Sequence, residues 1–84
     1  MNDQRTEATK KIRSALLSAL RTARQLKAEE LKAFDGLPES EQTGNRGEVI
    51  QDAAFNITET IHHIELAADW LHDTVVSYRG ERSA

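Results

Sequence analysis

Acid and histidine recur at fixed spacing late in this chain of 84 residues. Glu59-x-x-His62 and Asp69-x-x-His72 each set a carboxylate and an imidazole one helical turn apart. Ferritin-like bundles use that spacing to aim two metal ligands from one helix. Such ligands must lie inside a bundle, whereas Glu59 and His62 fall off the apolar line of Ile57, Ile61 and Ile64. We therefore read the histidines as surface or interface groups and expect neither metal nor cofactor. Imidazole also suits acid–base work near neutrality, but catalysis needs a nucleophile or carboxylate held around a concave site. Ser14, Ser18 and Ser77 have no evident base partner, and there is no cysteine to serve as nucleophile. No enzyme is expected.

Binding chemistry is better represented. Trp70, the single tryptophan, is large enough to anchor an interface or to stack on a planar ligand. Asn56, Thr58, His62 and His63 add hydrogen-bonding groups to the same stretch. Arg46 sits in Gly44-Asn45-Arg46-Gly47, which reads as a plain turn or as a backbone and guanidinium site for an anion. Met1 to Lys27 carries a net charge of +5 and the remainder −8, by counting side chains. Packing one segment beside the other accounts for that division, and an anion-binding patch on the first helix is the sharper alternative. The acidic second half argues against a polymeric nucleic acid.

The elements that must position these groups are helices. Ile50, Ala54, Ile57, Ile61, Ile64, Ala68, Leu71, Val75 and Tyr78 recur at alternating steps of four and three, which places them on one side of a helix from about residue 48 to 78. Ile12, Leu16, Ala19, Leu20, Ala23, Leu26, Leu31 and Phe34 mark an earlier helix over about 3–34. Residues 35–47 hold three of the four glycines and the only proline, and they reverse the chain. The expectation is a single all-α domain spanning 1–84, a long antiparallel two-helix hairpin.

A hairpin this slender shelters only one side of each helix. Phe55, Leu66 and Trp70 follow a second stripe through Glu59 and His62 or His63, and a lone hairpin leaves it wet. Homo-oligomerisation through these three residues into a helical bundle is the ordinary resolution. Ala53, Thr60, Ala67 and Thr74 recur every seven residues and admit a close neighbour beside the main seam. No apolar run approaches a membrane span, and the opening residues lack a signal-peptide core. A cytoplasmic protein without membrane contact is expected.

Asn56-Ile57-Thr58-Glu59-Thr60-Ile61-His62-His63-Ile64-Glu65-Leu66-Ala67 resembles a segment of short helical-hairpin proteins of bacteriophages. Among these are the anti-CBASS sponges and the related helical hairpin of anti-Thoeris sponges. The matching elements are Asn-Ile-Thr, then His63 with Ile64 and Glu65, then Ala67. The resemblance implies a non-enzymatic homo-oligomer, hexameric in the known sponges, that holds cyclic di- or trinucleotides between protomers. By sequestering those immune signals in the host cytoplasm it would block anti-phage defence. The first helix has no aromatic residue before Phe34, so stacking on an N-terminal aromatic, as in the sponges, has no counterpart. From chemistry, Arg46 with Lys10 or Arg13 would supply phosphate charge, and Asn56, Thr58, His62 and His63 the polar contacts. The alternative is a helical-hairpin interaction or regulatory module with no small ligand.

Overall fold

The computed structural model describes residues 2–83, with side-chain surroundings for residues 3–80. Helix α1 (Asn2–Asp35), a one-turn helix α2 (Glu39–Gln42) and helix α3 (Asn45–Ser83) follow in order. The two long helices pack along each other as a hairpin whose Cα trace measures 64 × 14 × 13 Å. Among the described residues there is no strand.

Helix α3 forms as its periodicity requires. All nine seam residues from Ile50 to Tyr78 are buried or half-buried, with Ala54, Ala68 and Val75 the most enclosed. The repeat is seven residues long, and Gly47, also buried, continues the line of Ala54, Ile61, Ala68 and Val75 toward the loop. A sustained seven-residue repeat keeps one seam facing the neighbouring helix.

Helix α1 meets this seam with a different face from the one its apolar residues suggest. Thr6 and Thr9 are buried beside Leu20, and Arg13, Leu16, Leu17, Ala23, Lys27, Glu30 and Phe34 are half-buried. Ile12 (54% exposed), Leu26 (44%) and Leu31 (47%) point away from the seam, which corrects the single stripe expected for this helix. The physical reason is phase. Thr6, Arg13, Leu20, Lys27 and Phe34 share one seven-residue line, and Thr9, Leu16, Ala23, Glu30 and Leu37 the next. Only these stay in step with α3 along the full contact, whereas Ile12, Ala19 and Leu26 lie one line over.

Two polar contacts fix the register. The Arg13 Nε–H donates to the Ala68 carbonyl oxygen at 3.2 Å, and Arg24 pairs with Glu65 at 3.5 Å. In the register midway between these two contacts, Leu20 comes about level with Ile64, and, further toward the loop, Glu30 about level with Ala54. The Arg24–Glu65 pair also gives the hairpin a charged flank. The opposite flank presents Ala8, Ile12, Ala15, Ala19, Thr22 and Leu26 from α1. From α3 it presents Val49, Ala53, Asn56, Thr60, His63, Ala67, Trp70, Thr74 and Ser77, and none of these carries a formal charge with His63 neutral.

The connection is more ordered than a plain turn. The Glu41 and Gln42 N–H groups donate to the Pro38 carbonyl at 2.8 and 3.0 Å, which closes α2. The Gln42 amide donates to the carbonyls of Phe34 (3.2 Å) and Leu37 (3.3 Å), adding to the Leu37 N–H that the Phe34 carbonyl already accepts at 3.1 Å at the end of α1. Helix α3 opens at Asn45, so Gly47 is helical and lies against the Gln42 backbone, where any Cβ would collide with the Gln42 carbonyl. Close approach, not turn conformation, is what that glycine supplies. At the far end, α3 runs on through Gly80 to Ser83, past the expected end near Tyr78. A glycine inside a helix costs only about 1 kcal/mol, and no described glycine has a positive φ that would end the helix.

Candidate functional site

The outward face of α3 carries the groups best placed to bind something. Phe55 is 63% exposed, Leu66 45% and Trp70 72%. His62 and His63 lie between them, their ring centroids 5.8 Å apart and the rings tilted by 56°. The three apolar residues do not share one line, however. Trp70 belongs to the seven-residue line of Val49, Asn56, His63 and Ser77 on the uncharged flank, whereas Phe55 shares its line with His62, Asp69 and Val76. Leu66 stands between the two shoulders. The stripe therefore winds around the helix and faces two directions.

Hydroxyls near this face are already used. Thr58 donates to the Ala54 carbonyl at 2.8 Å, Thr60 to Asn56 at 2.9 Å and Thr74 to Trp70 at 2.9 Å. As a donor Thr58 is thus engaged within its own helix, and as an acceptor it remains able to serve a ligand. Asn56 is exposed.

A single chain does not gather the cations chosen for phosphate. Arg46 pairs with Glu41 at 3.7 Å at the loop end, and Lys10 with Glu7 at 3.5 Å near the other end. Arg13 sits in the seam with its Nε–H on the Ala68 carbonyl. From Ala68 to Arg46 the helix rises about 33 Å at 1.5 Å per residue, so Arg13 and Arg46 serve different ends of the rod. They converge on one ligand only if different copies supply them. Sequence reasoning missed Arg13 as a packing residue, although its place seven residues after Thr6 and before Leu20 was the available signal.

Concavity is scarce. One open hollow is lined by Asp3, Gln4, Glu7, Ala8 and Lys11. Its lining comes from α1 alone, so it is the ordinary groove between turns of one helix. Among the described residues no three His, Asp or Glu side chains come together around a point that a metal would occupy. Glu59 with His62, and Asp69 with His72, remain isolated pairs.

Comparison with protein-family models, with curated proteins and with solved structures gives no match for this chain.

Proposed function

We propose that this chain is a non-enzymatic helical hairpin that assembles with copies of itself and sequesters a cyclic oligonucleotide immune signal where the copies meet. The observation that carries the proposal is the exposure of Trp70, at 72%, on a rod too thin to cover it. A buried indole is a strong anchor between protein surfaces, and an indole left at the edge of such a contact offers a face on which a base stacks. The imidazole of His63 and the amide of Asn56 lie on the same line of α3 as Trp70, with His62 one residue around the helix, and Arg46 or the basic residues of α1 supply charge once another copy brings them near. Support for a cyclic nucleotide in particular is the resemblance at Asn56 to Ala67. With copies assembled in the cytoplasm of a host cell, the trap would act by mass, lowering free signal without cleaving it.

Calorimetric titration with a panel of cyclic di- and trinucleotides tests this. Heat on mixing, with the nucleotide recovered intact, is the expected result, and Arg46→Ala should weaken it at least tenfold while leaving the assembly unchanged. A flat trace across the panel removes the nucleotide from the proposal.

A second reading is a docking module for another protein, with no small ligand. Its favouring observation is that Arg46 and Lys10 are each already paired with a glutamate of their own chain. On that reading the face of Phe55, Leu66 and Trp70 is a protein contact alone.

A further inference from the structure

We infer that a second copy of this chain packs on the uncharged flank of the hairpin with both loops at the same end, so that basic α1 of each copy lies along acidic α3 of the other. The inference rests on the assembly half of the proposed function and adds a surface and an orientation to it.

The surface is defined by where charge is missing. Charged residues make up 30% of the chain, yet the flank bearing Ile12, Ala19 and Leu26 beside Ala53, Ala67 and Trp70 holds one between the levels of Val49 and Ser77, Glu29 near the loop end on the line of Ala8, Ala15 and Thr22. Charge falls instead on the Arg24–Glu65 flank and the outer faces. The threonine hydroxyls on the uncharged flank, those of Thr22, Thr60 and Thr74, donate to carbonyls of their own helices, so covering these three strands no hydroxyl donor. From Val49 to Ser77 the strip is about 42 Å long at 1.5 Å per residue, and two helices side by side are about 20 Å wide. That is roughly 800 Å², the area each partner contributes to a stable interface of standard size.

Charge complementarity selects the occupant and its direction. Helix α1 carries eight basic and five acidic residues, and α3 three basic and seven acidic. Bordering the strip are Lys11 and Lys32 on α1, and Asp52, Glu59 and Asp73 on α3. A two-fold axis along the rod keeps every residue at its own height. It sets Lys11 level with Asp73 of the second copy, and Lys32 with Asp52 of the second copy, in the register fixed by Arg13 and Arg24. Loops at opposite ends would instead lay α1 on α1 and α3 on α3, like charge along like. The favoured product is a four-helix bundle in which every neighbouring helix is antiparallel.

Sedimentation equilibrium on the full chain, without nucleotide, tests the surface. The unaltered protein should associate. Ala19→Glu, and separately Thr60→Glu, should raise the dissociation constant at least tenfold with helicity by circular dichroism retained, whereas Ser14→Glu, off the strip, should leave it unchanged. The chain has no cysteine, so a spin label on Thr43→Cys reports orientation, with about 20–30 Å between labels expected for loops together, from helix spacings of 8–10 Å plus label arms. A separation near the full 64 Å of the rod overturns the orientation. Association unaffected by both glutamates overturns the surface and leaves assembly through Phe55, Leu66 and Trp70 standing. A chain that stays monomeric at high concentration overturns both, and neither result depends on whether a nucleotide binds.

Discussion

The two long helices are of similar length and pack along each other, yet they contribute to the seam in different ways. Helix α3 offers Ala, Ile, Leu, Val and Tyr at every seam position from Ile50 to Tyr78. Helix α1 answers with Thr6, Thr9, Arg13, Lys27 and Glu30 among its seam residues, and Leu20 is its most enclosed hydrophobic side chain. One helix is therefore a continuous apolar rail, and the other a partly polar rod laid on it in phase. Polar residues are tolerated on α1 because a two-helix contact is narrow: long side chains rest their methylenes on the rail and keep their charged ends in water. The rail has less latitude, since its side chains are apolar to the tip and lie along the middle of the contact.

The sharpest way to break the comparison is to put charge into one layer from either side. Glu30 of α1 and Ala54 of α3 come about level in the register set by Arg13 and Arg24, and Ala54 is 7% exposed. Ala54→Asp would bury a carboxylate facing Glu30, a loss of about 3 kcal/mol or more. Glu30→Ala should change stability by about 0.5 kcal/mol or less, as surface substitutions do. Thermal unfolding of the two variants checks the contrast. Equal losses would mean that α1 is as constrained at this layer as α3.

Next in size is the contrast between two apolar residues of α1. Leu20 is 7% exposed and Ile12 54%. Leu20→Ala should cost about 2–3 kcal/mol, the lower part of the range for a buried leucine, because the thin hairpin encloses it on few sides. Ile12→Ala should be close to neutral in dilute protein, with the better helix propensity of alanine offsetting the lost area. Its cost should grow with protein concentration if a second copy covers the flank on which Ile12 lies. Denaturant titrations at two concentrations measure both effects, and an Ile12→Ala loss matching that of Leu20→Ala in dilute protein would contradict the phase assigned to α1.

That same contrast explains how much could be read from sequence. The seam of α3 was legible residue by residue, since its apolar positions form one unbroken repeat. Helix α1 was legible as a helix but not in its rotation. Ile12, Ala19 and Leu26 sit one line from Leu16 and Ala23, and helical periodicity records that both lines are apolar without recording which neighbour each serves. Only pairing with α3 separates them. The exposure of Phe55, Leu66 and Trp70 followed from α3's own pattern, because a seam on one side leaves the opposite side outside. The place of Arg13 was signalled only by its spacing from Thr6 and Leu20, as a guanidinium over a mid-helix carbonyl has no signature of residue type. Gly47 was read as turn freedom when its use is the absence of a Cβ beside Gln42, a tertiary contact invisible to local propensity.

The smallest effect concerns two threonines that α1 buries three residues apart. Thr9 is 8% exposed, and its hydroxyl donates to the Arg5 carbonyl at 2.8 Å. Thr6 is 5% exposed, and its buried hydroxyl has no hydrogen-bond partner. Replacing either with valine keeps the shape and removes the oxygen, so the comparison isolates the hydroxyl. Thr9→Val should lose about 0.5–1 kcal/mol, the net worth of an ordinary hydrogen bond. Thr6→Val removes an unpaired polar atom instead, and should be neutral or stabilising by about 0.5–1 kcal/mol. Opposite signs in paired urea titrations would show that α1's polar seam residues are individually accommodated and not collectively required. If Thr6→Val destabilises as much as Thr9→Val, the Thr6 hydroxyl has a partner in solution, and the first turn of α1 sits on the rail differently from the rest of the helix.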